Sequence, residues 1–221
     1  MAAPENPSGS AAAHPDAEGT QDILMVCTAN ICRSPLAEHM LRALFAWEFR
    51  NGRATGPHRT VGSAGTLAQP GIPIHELSRV ALAKRMVPVG DTLSRPVTDK
   101  LISEAGLVLT STRQQRARVV EQSPSDVKHV FAMRDFARLV MAGRRVVPDA
   151  KDNSTPTLLM LASAGRSLLQ PVPEELGDIP DPVTGGPDEF EACAEMICGC
   201  LLDIFHPHPE FRPTLTPGRT V

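Results

Sequence analysis

The residues best suited to chemistry lie in one short stretch, residues 27–35, with the sequence CTANICRSP. Five residues separate Cys27 from Arg33. That is enough chain to wrap around one tetrahedral oxyanion, while the guanidinium closes the ring with a two-pronged contact. A thiol among unpaired backbone N–H groups at a helix N-terminus is favoured as the nucleophilic thiolate, and the Ser34 hydroxyl could stabilise it as a leaving group. The spacing indicates phosphoryl transfer, or binding of a phosphate mimic such as arsenate or sulfate.

Hydrophobic patterning places this stretch between a strand and a helix. Residues 23–26 are the strongest strand candidate, and Ser34 as N-cap with Pro35 at the first helical position predicts a helix. Open α/β sheets bind ligands beyond the carboxyl ends of their strands, which is where the stretch would lie. The local pattern therefore supports a binding loop rather than a buried cysteine pair with a salt-bridging arginine.

The remaining chain alternates short apolar runs with helix-period stretches, a pattern typical of a parallel sheet covered on both faces. Further strands are predicted at 60–63, 107–109 and 128–131, and helices at 75–85, 113–121 and 134–141. A closing helix begins after Gly186 and carries one apolar stripe, formed by Phe190, Ala194, Ile197, Leu201 and Ile204. The predicted fold is a three-layer α/β sandwich with a central four-stranded parallel sheet flanked by helices.

Composition narrows the function classes. The 221 residues are 42% hydrophobic and 21% charged, as in an ordinary globular domain, and the net charge of −3 disfavours nucleic-acid partners. No run approaches the roughly 18 apolar residues needed to span a bilayer, and no signal peptide is visible. Five cysteines at irregular spacing suit a reducing compartment, so we expect a cytoplasmic protein without a membrane partner.

The domain organisation follows from local composition. Residues 1–20 lack large apolar side chains and are predicted to be a disordered leader. Residues 206–221 carry four prolines and no periodic pattern, which indicates a flexible tail. The domain is expected at 21–205, with an insert at about 146–177 that contains a helix-like stretch and has no assigned function.

Residues 27–35 resemble the catalytic loop of the low-molecular-weight protein tyrosine phosphatases, whose fold is shared with thiol-dependent arsenate reductases. The similarity continues at 63–66, 71–73, 94–98 and 107–110, and resumes at Asp181-Pro182 and the closing helix. The resemblance implies that Cys27 attacks phosphorus to give a cysteinyl-phosphate and that Arg33 binds the phosphoryl oxygens. Asp181 would protonate the leaving group and then deprotonate the hydrolytic water. The implied phosphate-binding residues are Thr28, Ala29, Asn30, Ile31, Cys32, Arg33 and Ser34.

The resemblance also implies roles for supporting residues. Asn30 and Ser34 would order the loop, with Asn30 hydrogen-bonded to Ser63. Cys32 could form a reversible disulfide with Cys27 or could equally be a small buried packing residue. The implied substrate is a phosphotyrosine protein or a small phosphomonoester, with no cofactor and no metal, and the implied assembly is a monomer or weak dimer.

The chain departs from the family pattern at three places. Residues 183–186 (VTGG) follow Asp181-Pro182 where the family usually has aromatic residues that line the phosphotyrosine pocket, and the chain contains no tyrosine. Ala29 stands at a loop position that is often glycine. Thr92 lies about where many relatives have a histidine that helps to tie the loop network together.

Three alternatives remain open. Asp149, which follows Pro148, is a rival for the acid. A thiol-dependent arsenate reductase would need two further thiols in a mobile middle segment, and residues 33–192 contain none. Cys193, Cys198 and Cys200 lie close to the buried stripe and are interpreted as core residues. A non-catalytic phosphopeptide-binding module would keep the loop without turnover.

Overall fold

A computed structural model describes residues 22–53, 59–150 and 152–206. Its strands are β1 (Ile23–Cys27), β2 (Val61–Gly65), β3 (Leu107–Thr110) and β4 (Val130–Ala132). They form one parallel sheet in the order β2-β1-β3-β4, so the strand that leads into the candidate loop lies inside the sheet. β4 starts two residues later than predicted because Lys128 and His129 end a 3₁₀ helix, Pro124–His129.

Helices connect and cover the strands. They are α1 (Arg33–Arg50), α2 (Glu76–Lys84), α3 (Asp99–Glu104), α4 (Arg113–Gln122), α5 (Met133–Val146), α6 (Thr155–Arg166), α7 (Glu174–Gly177) and α8 (Pro187–Phe205). The sequence analysis did not predict α3, although Thr98 caps it by accepting a hydrogen bond from Leu101 N at 3.2 Å. Within the described residues, no helix has both the length and the apolar character needed to cross a bilayer.

Both faces of the sheet are buried, as the alternation along β1 shows. Ile23 and Met25 join a core cluster with residues of α1, α5, α6 and α8. Leu24 and Val26 join a second cluster with Ile102 of α3 and Val119 of α4. Since successive side chains of a strand point to opposite faces, helices cover the sheet on both sides. The predicted three-layer sandwich with a four-stranded parallel sheet is confirmed.

The start of α1 differs from the prediction. The helix begins at Arg33 and its N-cap residue is Cys32, which makes no side-chain cap. Ser34 is therefore the second helical residue and not the N-cap. Its hydroxyl is engaged by the candidate loop, where it lies 3.1 Å from Cys27 Sγ and accepts a hydrogen bond from the Asn30 amide at 2.9 Å.

The region predicted as an insert, residues 146–177, contains α6 and α7. α6 packs into the first core cluster through Leu158, Leu161 and Ala162. Two glycines allow its backbone to approach α5 closely. A Cβ atom added to Gly143 would lie 2.0 Å from Leu161 O, and one added to Gly165 would lie 2.1 Å from Leu139 O. α6 is thus an integral part of the core.

The predicted leader, residues 1–20, lies outside the described residues, as does the predicted tail after His206. His206 itself follows α8 as its C-cap and is buried. Its Nδ1 lies 3.3 Å from Glu48 Oε1, so the end of α8 is attached to the end of α1.

Candidate active site

The candidate site is a loop at the carboxyl end of β1, residues 27–34, which we call the oxyanion loop. Cys27 is the last residue of β1 and is 2% exposed. The backbone N–H of Asn30 donates to Cys27 Sγ at 3.3 Å, and Ser34 Oγ lies 3.1 Å from the same sulfur. The loop therefore directs polar groups toward the thiol, and the N-terminus of α1 adds its partial positive charge.

Asn30 organises the oxyanion loop. Its φ of 57° places it in the left-handed region, which asparagine tolerates better than most residues. The buried side-chain amide donates to Ser34 Oγ at 2.9 Å and to Ser63 Oγ at 2.8 Å, and its Oδ1 accepts from Arg95 N at 2.9 Å. The only other described non-glycine residue with positive φ is Met86, so Ala29 carries no such strain where relatives often have glycine.

A buried carboxylate supports this network from α1. Ser63 Oγ donates to Glu38 Oε2 at 2.5 Å, and Arg42 Nη2 lies 2.9 Å from Glu38 Oε1. The sequence analysis did not find Glu38, although its i,i+4 spacing to Arg42 on a buried helix face is a usable signal. Thr92 Oγ1 lies 3.0 Å from His39 Nε2 of the same helix.

A glycine lets β2 approach the oxyanion loop closely. Thr66 N donates to Cys27 O and Leu67 N donates to Thr28 O, both at 2.9 Å. A Cβ atom on Gly65 would lie 2.5 Å from Thr28 O and 2.9 Å from Asn30 N. Because the nearest atoms include loop backbone, a side chain at this position would push the loop out of place.

We expect Gly65→Ala to destabilise the protein by about 1–3 kcal/mol, the usual cost of overpacking, and to weaken phosphate binding. Thermal unfolding with and without phosphate measures both effects. Gly199→Ala is the matched control, since a Cβ there meets nothing within 4 Å. A Gly65→Ala protein with unchanged phosphate affinity would contradict the close-approach argument.

Arg33 and Asp181 meet although they are 148 positions apart in the sequence. The Arg33 side chain is almost fully buried, its Nη1 donates to Ile179 O at 3.1 Å, and its Nη2 forms an ion pair with Asp181 Oδ2. The Asp181 side chain is 43% exposed, and Val183 N donates to its Oδ1 at 3.3 Å. Asp149, the rival acid, is exposed just beyond α5. Asp181 is therefore the carboxylate that the fold brings to the arginine.

Thr28 is tied to α4 by a contact that the sequence analysis missed. Gln115 Nε2 donates to Thr28 Oγ1 at 3.0 Å, and Gln115 Oε1 accepts from Thr112 N at 3.0 Å. One buried amide thus caps α4 and fixes the first residue after the nucleophile. The Thr112 and Gln115 pair was recognisable as a capping box, but its contact with a residue 87 positions away was not.

The other four cysteines are buried, and three of them have raised pKa values. Burial raises the pKa of Cys32 to about 12, with Cys27 and Asp181 adding to the shift. Burial also raises the pKa of Cys193 and of Cys200 to about 12. Cys193, Cys198 and Cys200 lie in the first core cluster, which agrees with their interpretation as core residues. At neutral pH these three groups with raised pKa values are thiols and therefore poor nucleophiles.

We expect brief iodoacetate treatment of the folded, reduced protein near pH 7 to modify Cys27 before any other cysteine. Alkylation requires the thiolate, which the high pKa values of Cys32, Cys193 and Cys200 suppress. Peptide mass spectrometry locates the label, and excess phosphate should protect Cys27. Equal labelling of Cys32 would contradict this ordering.

The site is suited to anions. Within residues 22–53, 59–150 and 152–206, no group of three or more His, Cys, Asp or Glu side chains is placed to hold a metal ion.

Exposed aliphatic side chains flank the loop: Leu67, next to Thr28 through its backbone, is 63% exposed, and Val183, next to Asp181, is 46% exposed. The fold and the site together define an α/β protein with a cysteine and an arginine in one loop at the carboxyl end of a parallel strand.

The chain belongs to the low molecular weight phosphotyrosine protein phosphatase family, whose model matches residues 22–163. The resemblance predicted from the loop is confirmed, and the enzyme class is that of the phosphoric monoester hydrolases. Family membership favours this class over an arsenate reductase or a non-catalytic binding module. The family match ends before Asp181.

Individual relatives agree with this assignment. The chain is 30% identical to a low molecular weight protein-tyrosine-phosphatase of Streptomyces coelicolor over 181 residues, 80% of this chain and 87% of that protein. It is also 30% identical to a protein-arginine-phosphatase of Bacillus subtilis over 115 residues, 52% of this chain and 71% of that protein.

Solved structures share the fold. A low molecular weight protein tyrosine phosphatase from T. tengcongensis has a TM-score of 0.59 at 21% identity, covering 83% of this chain and 96% of that one. An arginine phosphatase mutant with a phosphorylated active-site serine has a TM-score of 0.58 at 22% identity, covering 89% of this chain and all of that one. At these identities the likeness concerns the fold.

Proposed function

We propose that the protein hydrolyses phosphotyrosine in proteins, and small aryl phosphates, through a cysteinyl-phosphate on Cys27. The observation that carries this proposal is the convergence of three groups at one end of the sheet. The Cys27 thiol accepts from a loop N–H, Arg33 lies at the N-terminus of α1, and Asp181 is paired with Arg33. Nucleophile, oxyanion clamp and proton donor are the parts that phosphomonoester hydrolysis needs.

In the first step, the Cys27 thiolate attacks phosphorus and the bond from phosphorus to the ester oxygen breaks. Arg33 and the loop N–H groups bind the three equatorial oxygens, where charge accumulates in the transition state. Asp181, displaced from Arg33 by the substrate phosphate and protonated from solvent, gives that proton to the departing phenolate. The products are a phenol, a cysteinyl-phosphate and the Asp181 carboxylate.

In the second step, water attacks the cysteinyl-phosphate and the sulfur–phosphorus bond breaks. Asp181 takes a proton from the water, and Cys27 leaves as a thiolate. Ser34 is placed to stabilise that leaving group, since its Oγ lies 3.1 Å from Cys27 Sγ. Inorganic phosphate then dissociates, and the supporting hydrogen bonds of Asn30 and Ser63 hold the loop for the next cycle.

The exposed side chains beside the site are compatible with an aryl substrate but do not require one. Val183 offers exposed aliphatic surface where the family pattern has aromatic rings, and Leu67 offers more beside Thr28. Aliphatic side chains pack against a phenyl ring mainly by burying apolar area. The names of the relatives include both a tyrosine phosphatase and an arginine phosphatase. Phosphoarginine is therefore the comparison substrate.

The test is a steady-state assay of the purified, reduced protein in chelator, with p-nitrophenyl phosphate, a phosphotyrosine peptide and a phosphoarginine peptide. We expect phosphate release from the first two that depends on Cys27 and persists without metal. Preference for the phosphoarginine peptide would overturn the substrate assignment. Phosphate binding without turnover on any substrate would overturn the enzyme assignment.

The setting of the enzyme is also inferred. We expect action in the cytoplasm, supported by five cysteines that all carry free thiols. The proposed domain is 21–205, and a monomer or weak dimer is expected. Gel filtration measures the assembly, and limited proteolysis measures the domain limits.

A further inference from the structure

The segment that leads into the acid loop is held largely by arginine side chains. The acid loop is residues 178–183, and α7, which precedes it, has only four residues. Arg113 Nη1 donates to Val172 O at 2.7 Å. Arg134 Nη1 donates to Glu175 O and to Asp178 O, each at 2.9 Å. Guanidinium groups thus bind backbone carbonyls in the short helix α7 and on either side of it, which lie outside the sheet and the longer helices.

Arg113, the first residue of α4, makes the most specific of these contacts. Its guanidinium binds both carboxylate oxygens of Asp135, at 2.7 Å and 2.8 Å, which fixes the plane of the group. Its backbone N–H donates to Asp178 Oδ1 at 2.8 Å. One residue therefore binds the acid-loop segment at Val172 through its side chain and at Asp178 through its backbone.

A steric feature shows how closely the guanidinium follows this segment. A Cβ atom on Gly177 would lie 2.5 Å from Arg113 Cζ and 2.5 Å from its Nη2. Any larger residue at position 177 would have to displace the guanidinium. Gly177 directly precedes the acid loop, so the arginine packs against the base of that loop.

The contacts then continue to the reacting groups. Ile179 is fully buried, and its N–H donates to Ser111 O at 2.9 Å, two residues before Arg113. Ile179 O accepts from Arg33 Nη1 at 3.1 Å. Only Pro180 separates Ile179 from Asp181, and the Asp181 carboxylate pairs with Arg33. Few backbone torsions therefore lie between the Arg113 contacts and the candidate acid.

We propose that Arg113 is a positioning residue for Asp181: it holds the base of the acid loop so that the carboxylate reaches the leaving oxygen. The proposal rests on the proposed function of Asp181 as the general acid. The proposal also assigns a role to residues 170–177, the second part of the predicted insert: this segment supports the acid loop.

The test compares Arg113→Met with the wild type on phenyl phosphate and p-nitrophenyl phosphate. Nitrophenolate leaves readily without a proton, whereas phenolate does not. General acids accelerate reactions by about 10²–10⁴-fold. Partial misplacement of the Asp181 carboxylate should therefore lower kcat/KM about tenfold on phenyl phosphate and no more than about twofold on p-nitrophenyl phosphate. Arg116→Met is the matched control on the same helix, because Arg116 Nε donates to Val130 O of β4, at 2.8 Å, a carbonyl outside residues 170–183.

A double-mutant cycle separates positioning from a general loss of structure. Arg113→Met should have no further effect on phenyl phosphate in the Asp181→Asn background, because the proton donor is already absent. Gly177→Ala keeps Arg113 but displaces its guanidinium, and should reproduce the selective loss. It carries the test alone if Arg113→Met does not fold.

The outcomes distinguish the two proposals. If Asp181→Asn leaves the ratio of the two rates unchanged, Asp181 is not the acid and the role of Arg113 fails with it, whereas the phosphatase function is then judged by the Cys27-dependent assay alone. If Asp181→Asn changes the ratio but Arg113→Met and Gly177→Ala slow both substrates equally, or slow them again in the Asp181→Asn background, Arg113 does not position the acid. Phosphate inhibition should not weaken in Arg113→Met or Gly177→Ala, because both variants keep Arg33 and the loop N–H groups; weaker inhibition would show a general loss of the site and would contradict a positioning role.

Discussion

Cys27→Ser is expected to lower kcat by about 10⁴-fold or more while phosphate still binds. A serine hydroxyl ionises far less readily than a thiol, and the groups next to the sulfur, Asn30 N–H and Ser34 Oγ, are not general bases. Phosphate affinity should persist because Arg33 and the loop N–H groups remain. Single-turnover hydrolysis and calorimetric phosphate titration measure the two properties separately.

Cys200→Ser is the matched control for this substitution. Cys200 lies on α8 in the first core cluster, and burial raises its pKa to about 12. It is not part of the oxyanion loop. Its serine variant should lose stability but keep kcat. A Cys27→Ser protein that turns over at the wild-type rate would exclude the covalent mechanism.

Asp181→Asn is expected to lower kcat/KM by about 10²–10³-fold on phenyl phosphate and by less than about tenfold on p-nitrophenyl phosphate. Asparagine keeps the shape of the side chain but cannot give a proton to the leaving oxygen. Rates on a series of aryl phosphates, plotted against leaving-group basicity, measure the change in slope.

Asp149→Asn provides the comparison, since Asp149 was the other acid candidate and is exposed beyond α5. It should match the wild type on both substrates. Equal losses on the two substrates for Asp181→Asn, together with a steeper slope for Asp149→Asn, would transfer the role to Asp149.

The sequence was most informative where function and local structure coincide. Residues 27–35 were recognisable because the nucleophile, the arginine and the start of α1 are contiguous, and β1 precedes them as a fully buried run. The apolar stripe of α8 followed from its period. The N-cap of α1 was misassigned to Ser34, because an N-cap rule describes hydroxyls that bind their own helix, whereas this hydroxyl serves the loop.

The sequence was least informative about contacts between distant residues. Gln115 meets Thr28 across 87 positions, and Arg113 meets Asp178 across 65. The local sequence does not connect Glu38 with the site, because its partner Ser63 lies on β2. Propensity and periodicity describe local preferences, so contacts that depend on the packing of whole elements require the structure.

The pairing of Arg33 with Asp181 makes the resting site an intramolecular complex. The carboxylate is tethered to the chain, so it occupies the guanidinium at a high effective concentration. An arriving phosphate dianion must displace it, which lowers the apparent affinity for every anion, the phosphate product included. The displaced carboxylate can then take up a proton and act as the general acid in the proposed mechanism. In the proposed mechanism, the Asp181 carboxylate therefore competes with the phosphate product for Arg33. This competition favours release of the product.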